Sequence, residues 1–509
     1  MASQELNSDS EAPLHRGMIT LTVMLASVLQ SLDNTIANVA MPKMQGALAA
    51  TQDQMSWVLT SYIVAAAIMT PLTGWLAGRF GRKTLFLVSV FGFTLASALC
   101  GLAQGLGEMV LFRFIQGLSG AALVPMSQAV LLDINPPERH GRAMAVWGQG
   151  VLVGPMLGPI LGGWLTDHYS WRWVFYINVP LGILAFLGVY AYFPRAVRYR
   201  ARLDFLGFAL LSVAVASLQL CLDRGPTRDW FSSSEIWLEA GTAALSFYLF
   251  IVHSLTARQP FIRLALFKDR NFLTGNIFIF LVGVIIFATL ALLPPLLQDL
   301  LGYPVYDAGL LTAPRGLGTL IAMAIAGRLV DRVDPRWLIG AGFACAALSL
   351  WQMTRFDTLM SAAPVFWSGL VQGLGTGLAY VPLVTLSFAT LPAVYRNEGS
   401  AFFSLVRNIG SSLGISMVQA LMVRNTQIVH ASLASTVNRY AARSTPAFAH
   451  LGDPAVRAAF NAQVTHQALM IAYIDDFWLM FGLALLAMPL LLLLRPPQRG
   501  SLPAPTLIE

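Results

Sequence analysis

Two opposite charges stand inside long apolar runs of this chain: Asp33, within MLASVLQSLDNTIANVAMP, and Arg113, within MVLFRFIQGLSGAALVP. If each run is a helix crossing a bilayer, the charges lie at matching depth. Asp33 is about 24 Å along a helix begun at Gly17, since an α-helix rises about 1.5 Å per residue. That leaves it about 6 Å short of the far edge of a hydrocarbon core about 30 Å thick. Arg113 lies about 8 Å in from Glu108 by the same rise. An acidic group at such depth costs up to about 2.5–3.5 kcal/mol on insertion scales, so it is expected to face a cavity or a partner. A carboxyl balanced between burial and a cation can load and release protons near neutral pH. A guanidinium stays charged. The expected chemistry is a proton switch, with Arg113 as a fixed charge that an ionised Asp33 answers and a protonated one releases. The alternative is a purely structural intramembrane pair.

Other polar positions surround these two. Gln116, Gly117 and Gly120 continue the face of Arg113 at i+3, i+4 and i+7. Asn34 and Asn38 are one turn apart on the first run. The expected cavity lining comprises Gln30, Asn34, Asn38, Gln116, Gly117, Gln372, Tyr380 and Asn408, with hydrogen bonding between helices as the alternative. Arg315 and Arg407 also fall within apolar runs. Either cation could face a cavity, and Arg407 is close enough to the inner end to be expected to snorkel to the surface.

The scaffold that must hold these residues is a membrane protein. Of 509 residues, 56% are hydrophobic and 11% charged. A soluble fold carries about 25% charged residues, so an ordinary soluble enzyme and a disordered chain are both excluded. The net charge of +7 comes from cations scattered between apolar runs, with no basic stripe for nucleic acid. Cys100, Cys221 and Cys345 each lie inside an apolar run and are too separated for a disulfide framework or metal site. The polar start lacks the basic and cleavage features of a signal peptide, so the first apolar run is expected to be retained.

Fourteen runs are long enough to span, from 17–38 to 473–494. With the N-terminus inside, the inner connections hold 20 of the 32 Lys and Arg and the outer ones nine, the other three being Arg113, Arg315 and Arg407. The expectation is an all-α integral membrane protein, a multi-pass chain with both termini inside.

An internal repeat refines this. GWLAGRFGRK, from Gly74, recurs as GRLVDRVDPR, from Gly327, at an offset of 253. QGLSGAALVP, from Gln116, recurs as QGLGTGLAYVP, from Gln372, at an offset of 256. Span two thus matches span ten, and four matches twelve. Two extra helices must separate two six-helix halves. The expected organisation is a first half over 1–194, a two-helix insert over 195–265 and a second half over 266–509. Two parallel halves facing each other are the layout of a rocking transporter. Under this alignment Gly369 stands where Arg113 stands, so the cation belongs to the first half alone.

Three further features carry expectations. Gly150, Gly154, Gly158 and Gly162 recur every four residues in span five, letting helices approach closely, while Pro155 and Pro159 remove backbone donors. They are expected to form a packing surface between the halves that resists leak. Gly74, Arg79, Gly81, Arg82, Asp331 and Arg332 mark tight inner loops, suited to gating or to fixing topology. The outer segment 423–471 is expected to be a long loop whose AspPro at 453–454 starts a helix prolonging span fourteen. There is no GxxxxGK[ST], HExxH or GxSxG segment, and the seven histidines are dispersed. No enzyme activity, cofactor or metal is expected, and transport would draw on an ion gradient.

The chain resembles the major facilitator superfamily, specifically the fourteen-span drug:proton antiporters of the EmrB type. The resemblance is carried, in order along the chain, by LDNTIANVAMP, the Gly74 loop, RFIQGLSGAA, GVLVGPMLGPILGG, WRWVFYINVP, LDRGPTRDWFSS, APRGLG and RNEGSAFFSLVRNIGSSLG. The GVLVGPMLGPILGG segment is similar to a motif shared by antiporters of the superfamily. The resemblance implies the major facilitator fold with a six-plus-two-plus-six arrangement. It also implies proton-coupled export of hydrophobic or amphipathic compounds, and a periplasmic adaptor and outer-membrane channel as partners. A narrower exporter of a siderophore, fatty acid or metabolite is the alternative. The family's inner loop often has an acidic residue where this chain has Gly78, whereas the repeat copy has Asp331. A charge-pair gate is therefore expected in the second half more readily than in the first.

Overall fold

The computed structural model describes residues 15–136, 139–193, 203–330, 332–392, 395–436 and 453–495. The linker 194–202, Asp331 and the tail after 495 lie outside them.

Every regular element among the described residues is helical. In chain order they are α1 (Arg16–Ala47), α2 (Gln52–Met69), α3 (Leu72–Phe80), α4 (Arg82–Leu102), α5 (Leu106–Gly120) and α6 (Leu123–Ile134). Next come α7 (His140–His168), α8 (Trp173–Tyr176), α9 (Asn178–Tyr192), α10 (Phe205–Arg224), α11 (Ser234–Thr256) and α12 (Arg270–Pro295). The last are α13 (Val305–Leu329), α14 (Pro335–Met353), α15 (Ala362–Ala389), α16 (Arg396–Thr436) and α17 (Pro454–Ala487).

Local chemistry sets many of these bounds. Thr51 and Gln54 form a reciprocal capping box at the start of α2. Asp204, Ser233, Asp269, Asp334 and Asp453 each accept a backbone N–H at the start of α10, α11, α12, α14 and α17. Gly81 separates α3 from α4 at φ +88°, a region where a side chain would be strained. Pro71 has no N–H to donate, and α2 and α3 meet beside it at 57°.

Each of the fourteen apolar runs falls largely on one helix or on two successive helices. Among the described residues eleven helices are long and apolar enough to cross a membrane, twelve with the bent α2–α3 pair. The other two runs lie on α7 and α14.

Helix α1 is central, packed by α6, α7 and α9, while α5 lies between α2 and α4. In the second half α15 packs between α13 and α14, and α12 against α16. The helices α10 and α11 pack as a pair, and α10 also touches α2 and α16. Gln219 on α10 donates to Ser412 on α16 at 2.8 Å, and Thr60 on α2 bonds Asp223 on α10. The α10–α11 pair thus joins a helix that precedes it to one that follows it.

Two expected boundaries change. Helix α1 runs to Ala47, nine residues past 38. The segment 423–471 is largely helical among its described residues, because α16 continues to Thr436 and α17 begins at Pro454. At 1.5 Å per residue α16 is about 60 Å long. The two extensions run side by side, with His430 Nε2 3.1 Å from Asn461 Oδ1 and Asn425 Nδ2 3.4 Å from Asp475 Oδ2.

Candidate functional site

Asp33 and Arg113 meet. The Arg113 guanidinium donates from Nη1 to Asp33 Oδ2 at 2.6 Å, and both side chains are shielded, at 0% and 1% exposure. Asp33 Oδ1 accepts from Gln116 Nε2 and from Asn178 Nδ2, each at 2.9 Å. Asn178 also donates to Ser97 Oγ at 3.1 Å, and Ser97 donates to the Phe175 carbonyl. Arg113 has further anchors in the Gln116 Oε1 atom at 2.8 Å and the Val58 carbonyl at 3.2 Å. Its guanidinium carbon lies 4.4 Å from the centre of the Tyr62 ring. One carboxylate is therefore held by three donors from α5 and α9, without bulk water. An ionised acid there is tolerable only while that shell stays whole. Protonation would remove the charge that Arg113 answers.

Asn178, Ser97 and Tyr62 went unassigned in the sequence reading. Asn178 lies within WRWVFYINVP, where an amide interrupts an apolar run. That is the signal that singled out Asp33, but 145 residues separate the two and only packing joins them.

The polar residues expected to line a cavity divide. Asn34 and Asn38 are exposed and Gln30 is half-buried. Gln116 belongs to the buried charge cluster. Gly117 does not line a cavity: a Cβ there would collide with the Tyr62 carbonyl, so its role is to let α5 approach α2. Gln372 is buried and donates to Thr289 Oγ1 at 3.1 Å. Arg407 does not snorkel. It turns inward, with Nη1 3.4 Å from the Tyr380 hydroxyl and Nη2 3.5 Å from Asn408 Oδ1. Tyr380 in turn accepts from Gln128 Nε2 of α6 at 3.3 Å, linking the halves.

The glycine motif of α7 also needs correction. It packs inside the first half and not between halves. A Cβ on Gly154 would lie 2.6 Å from Leu32 N, and Gly150 and Gly158 meet Met24 and Thr35 of α1 in the same way. Ser31 Oγ donates to the Val151 carbonyl at 2.8 Å. Gly162 is buried one turn on, and its carbonyl accepts from Thr166. The side chains of Pro155 and Pro159 lie outside the described residues, while the helix itself is continuous. A different face of α7 meets the second half, where Gly148 lies against Met323 and Gln149 Nε2 donates to the Leu320 carbonyl at 3.0 Å. A four-residue repeat drifts little around a helix of 3.6 per turn, so one stripe serves one neighbour.

At the Gly81 end the halves touch through charge. Asp133, at the end of α6, pairs with Arg82 and with Arg396 of α16 at 3.1 Å. Gly74 sits against the backbone of Glu398, where a Cβ would be 3.0 Å from Cα, and Ser400 Oγ donates to the Pro125 carbonyl at 2.8 Å. The first half therefore does hold a charged contact at its loop, with Asp133 supplying the acid that Gly78 lacks. Arg79 and Arg332 are exposed.

The pattern of the Major Facilitator Superfamily matches residues 23–415. The chain is 36% identical over 488 residues to the multidrug export protein EmrB of Escherichia coli (strain K12), covering 94% of this chain and 95% of that one. It is 35% identical over 486 residues to the fatty acid resistance protein FarB of Neisseria gonorrhoeae, covering 94% and 96%. Among solved structures, the proton:xylose symporter XylE superposes with a TM-score of 0.61 at 15% identity, over 93% of this chain and 94% of that one.

Proposed function

This chain belongs to the major facilitator superfamily, and on that premise we propose that it is a proton-coupled multidrug efflux transporter of the bacterial inner membrane. It would export hydrophobic or amphipathic compounds by alternating access. The observation that carries the reading is the buried Asp33–Arg113 pair, found in a chain 36% identical to a multidrug export protein. In the proposed cycle a proton reaching Asp33 from outside neutralises the acceptor of three hydrogen bonds. Arg113 then loses its counter-charge, which biases α1 against α5 and α9. Release of that proton inside restores the pair. Because a buried pair broken on one side costs about 3–5 kcal/mol, the switch can draw on enough energy to shift a two-state equilibrium.

With both termini inside, the Gly81 end is cytoplasmic. Asp133, Arg396 and Glu398 then form the closed inner gate, and Asn34 and Asn38 line the path between the halves. The halves, 1–194 and 266–509, rock about that path while the insert over 195–265 spans their seam. The extensions of α16 and α17 lie outside the membrane and offer a surface to a periplasmic adaptor that hands substrate to an outer-membrane channel. No cofactor is required. A narrower exporter of fatty acids is favoured by one observation, the 35% identity to a fatty acid resistance protein.

The test uses purified protein in sealed vesicles loaded with a pH-sensitive dye. With a proton gradient imposed, added drugs should trigger proton movement, and Asp33→Asn should lose it while still folding and inserting. Normal drug-driven proton movement in Asp33→Asn would reject the coupling role.

A further inference from the structure

The second half buries an arginine that no acid answers. Arg315 is 8% exposed and its Nη2 donates to the Ile286 carbonyl at 3.0 Å. Its Nη1 is buried without a hydrogen-bond partner, and no ion pair among the described residues includes it. Gln372, 1% exposed, donates from Nε2 to Thr289 Oγ1, which leaves its Oε1 buried and unpartnered. Ile286 and Thr289 are one turn apart on α12, so the two side chains that carry an unused donor and an unused acceptor are anchored to the same turn.

The repeat explains how this arose. At the offset of 253, Arg315 stands where Tyr62 stands, and at 256 Gly369 stands where Arg113 stands. The fold bears out the pairing. Gly117 packs on the carbonyl of Tyr62, and its equivalent Gly373 packs on the carbonyl of Arg315. The two halves place one arginine each in the same helix pair, on opposite members. The first half answers its arginine with Asp33. Among the described residues, no acid answers Arg315 in this way.

A buried guanidinium without a counter-charge is costly, and truncating an ion pair to one member is strongly destabilising. We propose that Arg315 is an anion subsite for the transported compound, binding the carboxylate of an amphiphile through Nη1. Gln372 Oε1 accepts a hydrogen bond from an N–H or O–H on the same headgroup, and the apolar tail lies along the path between the halves. This rests on the transport reading and adds to it a class of substrate and the residue that selects it.

The probe is N-dodecanoylglycine, which has a carboxylate and an N–H, compared with its methyl ester, which has no charge. Binding is measured by calorimetry on the purified full chain at pH 8. Wild type should bind the acid at least about tenfold more tightly than the ester, as charge-assisted bonds to arginine are strong. Arg315→Gln should weaken only the acid and bring the two within about twofold, with retained ester binding showing that the variant is folded. A second variant needs no cation removed. A Cβ at Gly369 would lie an ordinary 3.8 Å from Arg315 Cβ, so Gly369→Asp has room to supply the missing acid. It should block the acid and spare the ester. N-dodecanoylsarcosine, which lacks the N–H, should bind more weakly than the glycine compound, and equal binding would remove Gln372 from the site. Equal binding of acid and ester by wild type, or a preference that survives Arg315→Gln, would overturn the proposal. Asp33→Asn should keep the preference for the acid, so loss of coupling and loss of anion selection fail independently.

Discussion

The two halves hold equivalent helix pairs and spend them on different chemistry. In α2 and α5, Tyr62 faces Arg113, the cation donates to Asp33 and Gln116, and Asn178 donates to the same Asp33 carboxylate. In α13 and α15 the arginine has moved to the tyrosine's position, a glycine holds the arginine's, and only a backbone carbonyl answers it. The glycine-to-carbonyl contacts are the same in both, Gly117 on Tyr62 and Gly373 on Arg315. Duplicated backbone packing can persist while the charges set on it diverge, because close approach depends on missing side chains and charge depends on those present. One half neutralises its own arginine, and the other leaves a guanidinium nitrogen without a partner.

The comparison can be broken most forcefully at Asp33. Asp33→Asn should reduce drug-driven proton movement to background in the vesicle assay, whereas Arg315→Gln should leave it intact for uncharged substrates. Arg113→Gln comes next. It strands a buried carboxylate and should cost about 3–5 kcal/mol, read as a fall in thermal unfolding temperature. Arg315→Gln should cost less, since it strands no acid. Below that stand the paired glycines. Gly117→Ala and Gly373→Ala meet equivalent carbonyls and should destabilise alike, by about 1–3 kcal/mol each, on denaturation of the purified chain. Unequal losses would show that the packing has diverged as well. The smallest effect belongs to Asp133→Asn. Its side chain is 23% exposed, so the loss of stability should stay below about 1 kcal/mol. Its signature is kinetic, as faster labelling of a cysteine introduced behind the loop at the Gly81 end.

Much of the fold was legible. The apolar runs located the helices, because a chain in hydrocarbon must satisfy its backbone internally. Asp453–Pro454 announced the start of α17, and Asp33 and Arg113 stood out because ionised groups are rare at such depth. Three particulars were not legible. The glycines of α7 state that a neighbour comes close but not which one, and the neighbour is α1. Arg407 lies near a helix end, yet Tyr380 and Asn408 draw it inward. The length of α16 beyond residue 422 was hidden because its outer turns are polar and hydropathy marks only the part in lipid.

By itself, the amino-acid order determined an all-helical membrane protein, the positions of its long apolar helices, its internal repeat and the two charges of its first-half cluster. Those properties follow from hydrophobicity, helical rise and spacing, which are local along the chain. Only the tertiary structure decided that Asn178 completes the shell of Asp33, that Asp133 joins Arg82 to Arg396, and that no acid among the described residues meets Arg315. Each of these depends on which helix faces which, and a contact across 145 or 263 residues leaves no period in the sequence.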